Sequence, residues 1–374
     1  MIWRNGANSM ERKWGKPPWR AKTPAATPSL ANEVEVAIIG GGLTGLSTAY
    51  HLARAGIRPA LLEAAALGGG ASGRTGGIVL EGTARAVVEG TGQTAEFMRE
   101  LVEREKIACD LRLPGCWEIE HRRGAGESWL PWEDGGQPIG IARTVPGGAV
   151  DPGALMAGLA DAASRAGAAL YFDCPVEHLT PGAPSRLRLR DRAVRAHWVV
   201  VAVNAWSAAF LPIQVHSALT YACATAPLDQ ALLAEVGLAA GIPFYTVDQP
   251  YLWGRYVRDG RMIFGAGLSF GTPDELENLT LANREFQAIL ARLKHRVRNL
   301  HPALAQVQFS AQWAGPIAFL ERMTPLLCAL PDTPTVLAAG GYAGHGVALS
   351  VWAGAQLAAA ITERRPLPAW GALS

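Results

Sequence analysis

Apolar and polar positions alternate with two different periods along this chain, and the change of period marks out its elements. Val34–Ile39 is an unbroken apolar, β-branched run, the signature of a strand buried on both faces of a parallel sheet. From Leu43 to Ala55 the apolar spacing becomes helical, and Gly56 stops it. Ile57–Leu62 predicts a second short strand, which ends on the acid Glu63. Residues 93–107 carry the helical period, and residues 111–141 read as short alternating strands. Asp151 precedes a run that starts with proline and stops at glycine, so it predicts an N-cap and a helix. Leu170–Phe172 and Pro175–Leu179 predict short strands, Leu187–Leu189 and Val194–His197 a hairpin, and residues 198–212 a second buried strand running into a turn.

Residues 215–312 have a different texture. Tyr221–Thr225, Tyr251–Arg258 and Arg261–Ala266 alternate as antiparallel strands do, with a turn at Asp259 and Gly260, and a charged helix follows over Leu276–Leu300. The C-terminal stretch returns to buried apolar runs: a strand at Thr335–Ala339, a glycine-rich loop over 340–347 and a small-residue helix over Val347–Ile361, with Arg364 and Arg365 at its negative end. Buried strands at both ends of the chain suit one discontinuous sheet with an antiparallel substrate domain inserted into it.

Composition narrows the function classes. The chain has 374 residues, 49 % apolar and 18 % charged, enough for about two cores. A net charge of +2 argues against a nucleic-acid surface. The five cysteines, Cys109, Cys116, Cys174, Cys223 and Cys328, form no C-x-x-C pair, so neither structural zinc nor a disulfide framework is expected and no metal site is assigned. The longest apolar candidate for a membrane span, Leu337–Ile361, is broken by Gly340, Gly341, Gly344, His345 and Gly346, and no signal-peptide core is present; the expectation is a cytoplasmic protein. Residues 1–33 are basic and proline-rich, carry Trp3, Trp14 and Trp19, and read as an arm that docks on the surface or as a tail.

The chemistry concentrates in the glycines. Gly40, Gly42 and Gly45 are spaced G-x-G-x-x-G between a strand and a helix, with Glu63 about 20 residues on. Gly40 permits the turn, Gly42 lets backbone approach a pyrophosphate, and Gly45 lets helix and strand pack closely. The helix start offers free N–H groups and a positive dipole end, and Glu63 accepts from a ribose hydroxyl. A second glycine-dense loop over 67–79 holds Ser72 and Arg74, a hydroxyl and a guanidinium for phosphate.

Four stretches together resemble the FAD-dependent amine and amino-acid oxidase family, the relatives of D-amino acid oxidase, glycine oxidase and sarcosine oxidase, and above all its gamma-glutamylputrescine oxidase-like branch. They are IGGGLTGLSTAYHLA with LLE, ASGRTGG at 71–77, YLWGRYVRDGRMIFGAG, and GGYAGHGVALS. Thr75 stands where the family has asparagine, and WAGPIAFLERMTP at 313–325 matches only loosely, with Phe319 and Leu320 at positions usually polar. The resemblance implies a Rossmann-like α/β FAD-binding domain (34–110, 142–214 and 313–374) with an inserted, mainly antiparallel α+β substrate domain (111–141 and 215–312). Its flavin is expected to be non-covalent, since no cysteine lies between Cys223 and Cys328.

The cofactor-binding set that follows is Gly40, Gly42, Leu43, Thr44, Gly45, Glu63 and Ala64 at the nucleotide end, with Val176 at the adenine, and also includes Ala202 and Asn204. Ala71, Ser72, Arg74, Thr75, Gly76 and Gly77, facing Gly341, Gly344, His345, Gly346 and Val347, would enclose the isoalloxazine. The implied reaction moves a hydride from the carbon beside an amine to flavin N5; the imine hydrolyses, and oxygen is the expected electron acceptor, giving hydrogen peroxide. The partner is then a small amine or amino acid. His345 is the pocket candidate, with its backbone rather than its ring as the alternative role. Arg255 and Arg322 are candidates to hold a substrate carboxylate, and Tyr251, Trp253 and Tyr256 to wall an amine pocket, against purely structural roles for each. A dehydrogenase of the same fold using a quinone or protein acceptor, and a non-catalytic flavin-binding protein, are the competing functions.

Overall fold

The computed structural model describes residues 13–24, 29–121 and 129–373. Trp3 of the expected arm, and part of the 111–141 stretch, lie outside these described residues.

Two large sheets organise the chain. The first runs, edge to edge, Leu326–Leu330, Thr333–Gly340, Ala193–Val201, Glu33–Ile39, Ala60–Leu62 and Ala169–Tyr171. Its five inner and far strands pair in parallel, and the edge strand Leu326–Leu330 is antiparallel. Val36, Ile38 and Val200 pack on one face, against helices Leu43–Arg54, Pro152–Ala166 and Gly346–Thr362; Ala37, Ile39, Val199 and Val201 pack on the other. Burial on both faces is why these strands read as unbroken apolar runs. The helix at Pro152 has the expected start and stop: the Asp151 side chain accepts from Ala154 N at 2.9 Å, and Gly167 ends it with φ 112°.

The second sheet runs Phe309–Phe319, His216–Thr225, Met262–Phe270, Trp253–Tyr256, Phe244–Thr246, Cys116–His121, Gln137–Val145 and Trp129–Asp134. It is antiparallel apart from the pairing of Phe244–Thr246 with Cys116–His121. Helix Arg284–Asn299 packs Leu293 and Val297 against Phe244, Phe264 and Trp132 on its outer face.

Several sequence expectations change. The hairpin strand at 194–197 and the buried strand at 198 are one strand, Ala193–Val201; its outer half pairs antiparallel with Ser185–Arg188 and its inner half parallel with Glu33–Ile39. The charged helix over 276–300 is two helices, Pro273–Asn278 and Arg284–Asn299, because Asn283 Oδ1 takes the Thr280 N–H (2.7 Å) and closes a turn between them. Strands Gln137–Val145 and Phe309–Phe319 cross the boundaries expected at 141/142 and 312/313: their cross-strand partners hold both in the second sheet.

Residues 13–24 lie across the seam of the two sheets. Trp14 and Trp19 are buried, and Gly15 bridges to Trp313. Trp19 Nε1 donates to Gly73 O at 2.9 Å, so this segment holds down the glycine-rich loop after Glu63.

Candidate functional site

The first glycine turn has the conformation its spacing requires. Gly40 has φ 105°, a region closed to most side chains, and a Cβ on Gly45 would stand 1.9 Å from Gly40 O. The turn opens a crevice whose walls include Gly40, Gly42, Glu63, Ala64, Ala71, Ser72, Val176, Ala202 and Asn204. A Cβ on Gly42 would meet Ser72 Oγ at 3.0 Å, so backbone and hydroxyl face one another across a gap that only glycine leaves. The Glu63 carboxylate accepts from Gly41 N (2.6 Å) and Ala65 N (2.9 Å), while burial pushes its pKa up. Ser72 Oγ accepts from Leu43 N at 3.0 Å, tying the second glycine loop to the start of the first helix.

The C-terminal loop is tied to this crevice through Asn204. The hydroxyls of Thr44 and Tyr342 are 2.7 Å apart, and Asn204 Oδ1 accepts from Gly341 N at 2.9 Å. Ser47 Oγ donates to Val351 O at 2.6 Å, and a Cβ on Gly354 would lie 2.6 Å from Thr44 O, so the helices starting at Leu43 and Gly346 cross in close contact. Gly341 (φ 73°) and Gly344 (φ 91°) shape the loop, and His345 leads into the helix at Gly346 and Val347. Burial holds His345 neutral by lowering its pKa.

The inner face of the second sheet forms the opposite wall. Arg143, Glu118, Tyr245, Trp253, Gly265, Ala222 and Trp313 are successive cross-strand partners, one from each of seven strands, and so share a face. The Trp253 ring is pressed onto Gly76, where a Cβ would come within 2.2 Å of it. Trp313 Nε1 donates to Arg74 O at 2.9 Å, and the rings of Tyr245 and His345 meet edge to face with centroids 6.3 Å apart.

The profile of the FAD dependent oxidoreductase family (DAO) matches residues 35–360. The chain belongs to that family. Among relatives of this FAD-dependent oxidoreductase, gamma-glutamylputrescine oxidoreductase of Escherichia coli (strain K12) is 28 % identical over 370 residues, covering 87 % of this chain and 82 % of its own. Glycine oxidase of Geobacillus kaustophilus (strain HTA426) is 26 % identical over 374 residues, covering 90 % and 94 %. The crystal structure of glycine oxidase from Geobacillus kaustophilus superposes with a TM-score of 0.71 at 21 % identity over 90 % of this chain and 96 % of its own, and that of L-proline dehydrogenase from P. horikoshii with 0.72 at 18 % over 90 % and 95 %. These two structures share the fold.

The cofactor of an FAD-dependent oxidoreductase has two ends, and the residues present fit it: a phosphate turn that excludes side chains, a carboxylate at the end of the second strand, and two further glycine loops each hydrogen-bonded to the start of the first helix. Three expectations are corrected within that frame. The Arg74 guanidinium turns away from the crevice, donating to Gly15 O (3.0 Å) and Ala314 O (2.8 Å) and lying 5.7 Å over the Trp14 ring; buried backbone carbonyls claim it instead of phosphate. Arg322 donates through Nη2 to Ala372 O at 2.5 Å and braces the C-terminal residues. Arg255 lies beneath the loop rather than open to a ligand. Its Nε donates to Gly76 O, its Nη1 to Tyr256 O (3.3 Å), and Trp19 covers it. Its Nη2, beside Gly77, has no hydrogen-bond partner among the described residues, and burial lowers its pKa to about 10.

Tyr251 precedes its expected strand and is 37 % exposed. Tyr256 packs on the outer face of the second sheet, opposite Trp253. The Gly77 N–H reaches Thr75 Oγ1 at 3.4 Å, and Gly77 itself (φ 77°) sits where a Cβ would strike Val150 O. Sequence reading missed Met156 and Phe210 in the crevice wall, the hydroxyl of Tyr342 in the C-terminal loop, and the Glu118–Tyr245 pair, and it took Trp206, also in that wall, for packing. Glu118 did leave a signal: a carboxylate at a buried position of the strand CWEIEH.

Among the described residues no group of three or more histidine, cysteine or acidic side chains is placed to hold a metal, and no helix is long and apolar enough to cross a membrane.

Proposed function

We propose that this chain is an FAD-dependent oxidase of an amine or amino acid, acting on a C–N bond. The observation that carries the reading is the joining of loops from both chain ends beside the crevice, through Thr44 with Tyr342 and Asn204 with Gly341. A dinucleotide alone would occupy the first loop and leave the second without a purpose. The family's dependence on FAD, and the likeness to gamma-glutamylputrescine oxidoreductase and glycine oxidase, support an amine or amino-acid substrate.

FAD, when bound, supplies the hydride acceptor: the substrate C–N single bond becomes C=N with loss of a hydride and a proton, and oxygen takes up both electrons and two protons as hydrogen peroxide. The protein's contribution is placement and field. The Gly40–Gly45 turn and the start of the Leu43–Arg54 helix would hold the pyrophosphate, Glu63 the ribose, and Val176 the adenine side. Backbone of the 71–77 and 341–347 loops would enclose the ring without covalent attachment, and the helix starting at Gly346 would stabilise negative charge at its N1 and O2 edge. His345, kept neutral, offers an acceptor to an amine N–H instead of repelling an ammonium.

The test is an anaerobic screen of amines and amino acids against the yellow protein, following loss of flavin absorbance. Bleaching by at least one amine is expected; no bleaching by any, or a protein that stays colourless after incubation with FAD, sinks the reading. Peroxide yield in air tests oxygen as the acceptor, and bleaching without peroxide assigns a dehydrogenase.

A further inference from the structure

The cross-sheet row that passes over the flavin loop changes character beyond Trp253, where it ends in three polar residues. Tyr245 Oη lies 2.6 Å from Glu118 Oε1. Glu118 also takes Arg143 Nε on one oxygen and Arg143 Nη2 on the other, the latter at 3.1 Å. The Arg143 bonds hold the Glu118 carboxyl ionised, below its usual pKa. An ionised carboxylate can only accept, so the single proton of Tyr245 is committed to Glu118, and burial beside that carboxylate raises the phenol and keeps it protonated. Towards any other group Tyr245 is left with lone pairs alone.

The ring facing Tyr245 is in the same condition. His345 is neutral and so carries one ring N–H; the Ala343 backbone favours a proton on the ring, and the nitrogen without one is an acceptor. The Glu118 charge is felt at His345. Its counter-ion, by contrast, sits in water: the Arg143 side chain is 69 % exposed against 11 % for Glu118. Solvent screens the guanidinium more than the carboxylate, so the inward side of the pair is net negative.

We propose that Tyr245 and His345, backed by Glu118, form an acceptor-only corner that binds the N–H groups of a cationic amine and turns away carboxylates. The proposal deepens the amine-oxidation reading and rests on it. The bound group is either the reacting nitrogen or a second nitrogen at the far end of a diamine; the chemistry recognised is the same.

Calorimetric titration of the flavin-loaded protein tests this with probes that have no hydrogen on the carbon beside nitrogen and so cannot be oxidised. They are tert-butylammonium, a longer diamine with both nitrogens on tertiary carbons, and pivalate as the anionic isostere of the first. One or both amines should bind and pivalate should not. Tyr245→Phe and Glu118→Gln should each weaken amine binding about tenfold, the loss of one charge-assisted hydrogen bond. Binding of the monoamine assigns the reacting nitrogen, and binding of the diamine alone assigns a second one. Unchanged amine affinity in a folded Tyr245→Phe variant, pivalate binding more tightly than the amines, or no binding by either amine overturns the proposal. Should Glu118→Gln fail to fold, by far-UV circular dichroism, Tyr245→Phe decides. None of the three probes depends on turnover, so a failed bleaching screen and a failed corner give different results.

Discussion

Thr44 and Tyr342 are 298 residues apart in the chain and their hydroxyls are 2.7 Å apart in space. Both side chains are buried, so neither hydroxyl has water as a ready substitute partner. The bond ties the first turn of the helix behind the phosphate loop to the loop that opens the last helix. Whatever loosens one of these loops therefore loosens the other.

Tyr342→Phe keeps the ring and deletes the bond. Stability should fall by about 1 kcal/mol, and FAD affinity by about fivefold if the two loops share the cofactor. Thermal unfolding and flavin-fluorescence titration of the apoprotein measure the two effects; unchanged values for both would show that the loops are held together elsewhere.

Gly45→Ala should be far more damaging than its single methyl suggests. The new Cβ would stand 1.9 Å from Gly40 O, so strand and helix must separate, at a cost of about 3 kcal/mol. The variant should purify colourless. The ratio of visible to ultraviolet absorbance of the purified variant against that of the unaltered protein is the comparison.

Trp19→Phe tests the N-terminal segment. Trp19 gives its Nε1–H to Gly73 O, covers Arg255 at 5.4 Å and meets Trp313 edge to face at 5.5 Å. Phenylalanine keeps the packing but strands the Gly73 carbonyl, so the melting point should drop by the equivalent of about 1 kcal/mol and flavin should dissociate faster on dilution. Lys22→Ala, at an exposed position of the same segment, should change neither.

Acid should destabilise the protein through two histidines. Burial lowers the pKa of both His51 and His345 in the folded state. Below the ordinary histidine value of about 6.5, the unfolded chain binds protons that the folded chain refuses, so stability falls as pH falls through that value and on towards the folded-state values. In Tm measured from pH 7 down to pH 5, His51→Gln with His345→Gln should flatten the slope; an unaltered slope would place the acid sensitivity in other groups.

Much of the nucleotide end was legible because its constraints are local. A buried strand, three spaced glycines, a helix and an acid fall within 34–63, and the structure puts the strand, turn and helix there. What was not legible depends on distant pairing. Nothing within Phe309–Phe319 says that it belongs beside His216–Thr225 in the second sheet; the register between them decides it. The arginines failed for a related reason. Arg74 sits in a loop whose composition suits a phosphate, but its destination was set by the carbonyls of Gly15 and Ala314, which reach it from opposite ends of the sequence. Arg322 and Arg255 likewise found backbone oxygens that no local pattern foretells.

Four of the five cysteines are buried, and burial raises the pKa of all five, Cys109 and Cys328 to about 11 and Cys223 to about 12. Oxidants attack the thiolate, and these side chains hold almost none of it at neutral pH. An enzyme that releases peroxide as proposed would thus carry its sulfur in a form slow to react with its own by-product, and its working lifetime under turnover would be limited elsewhere in the molecule.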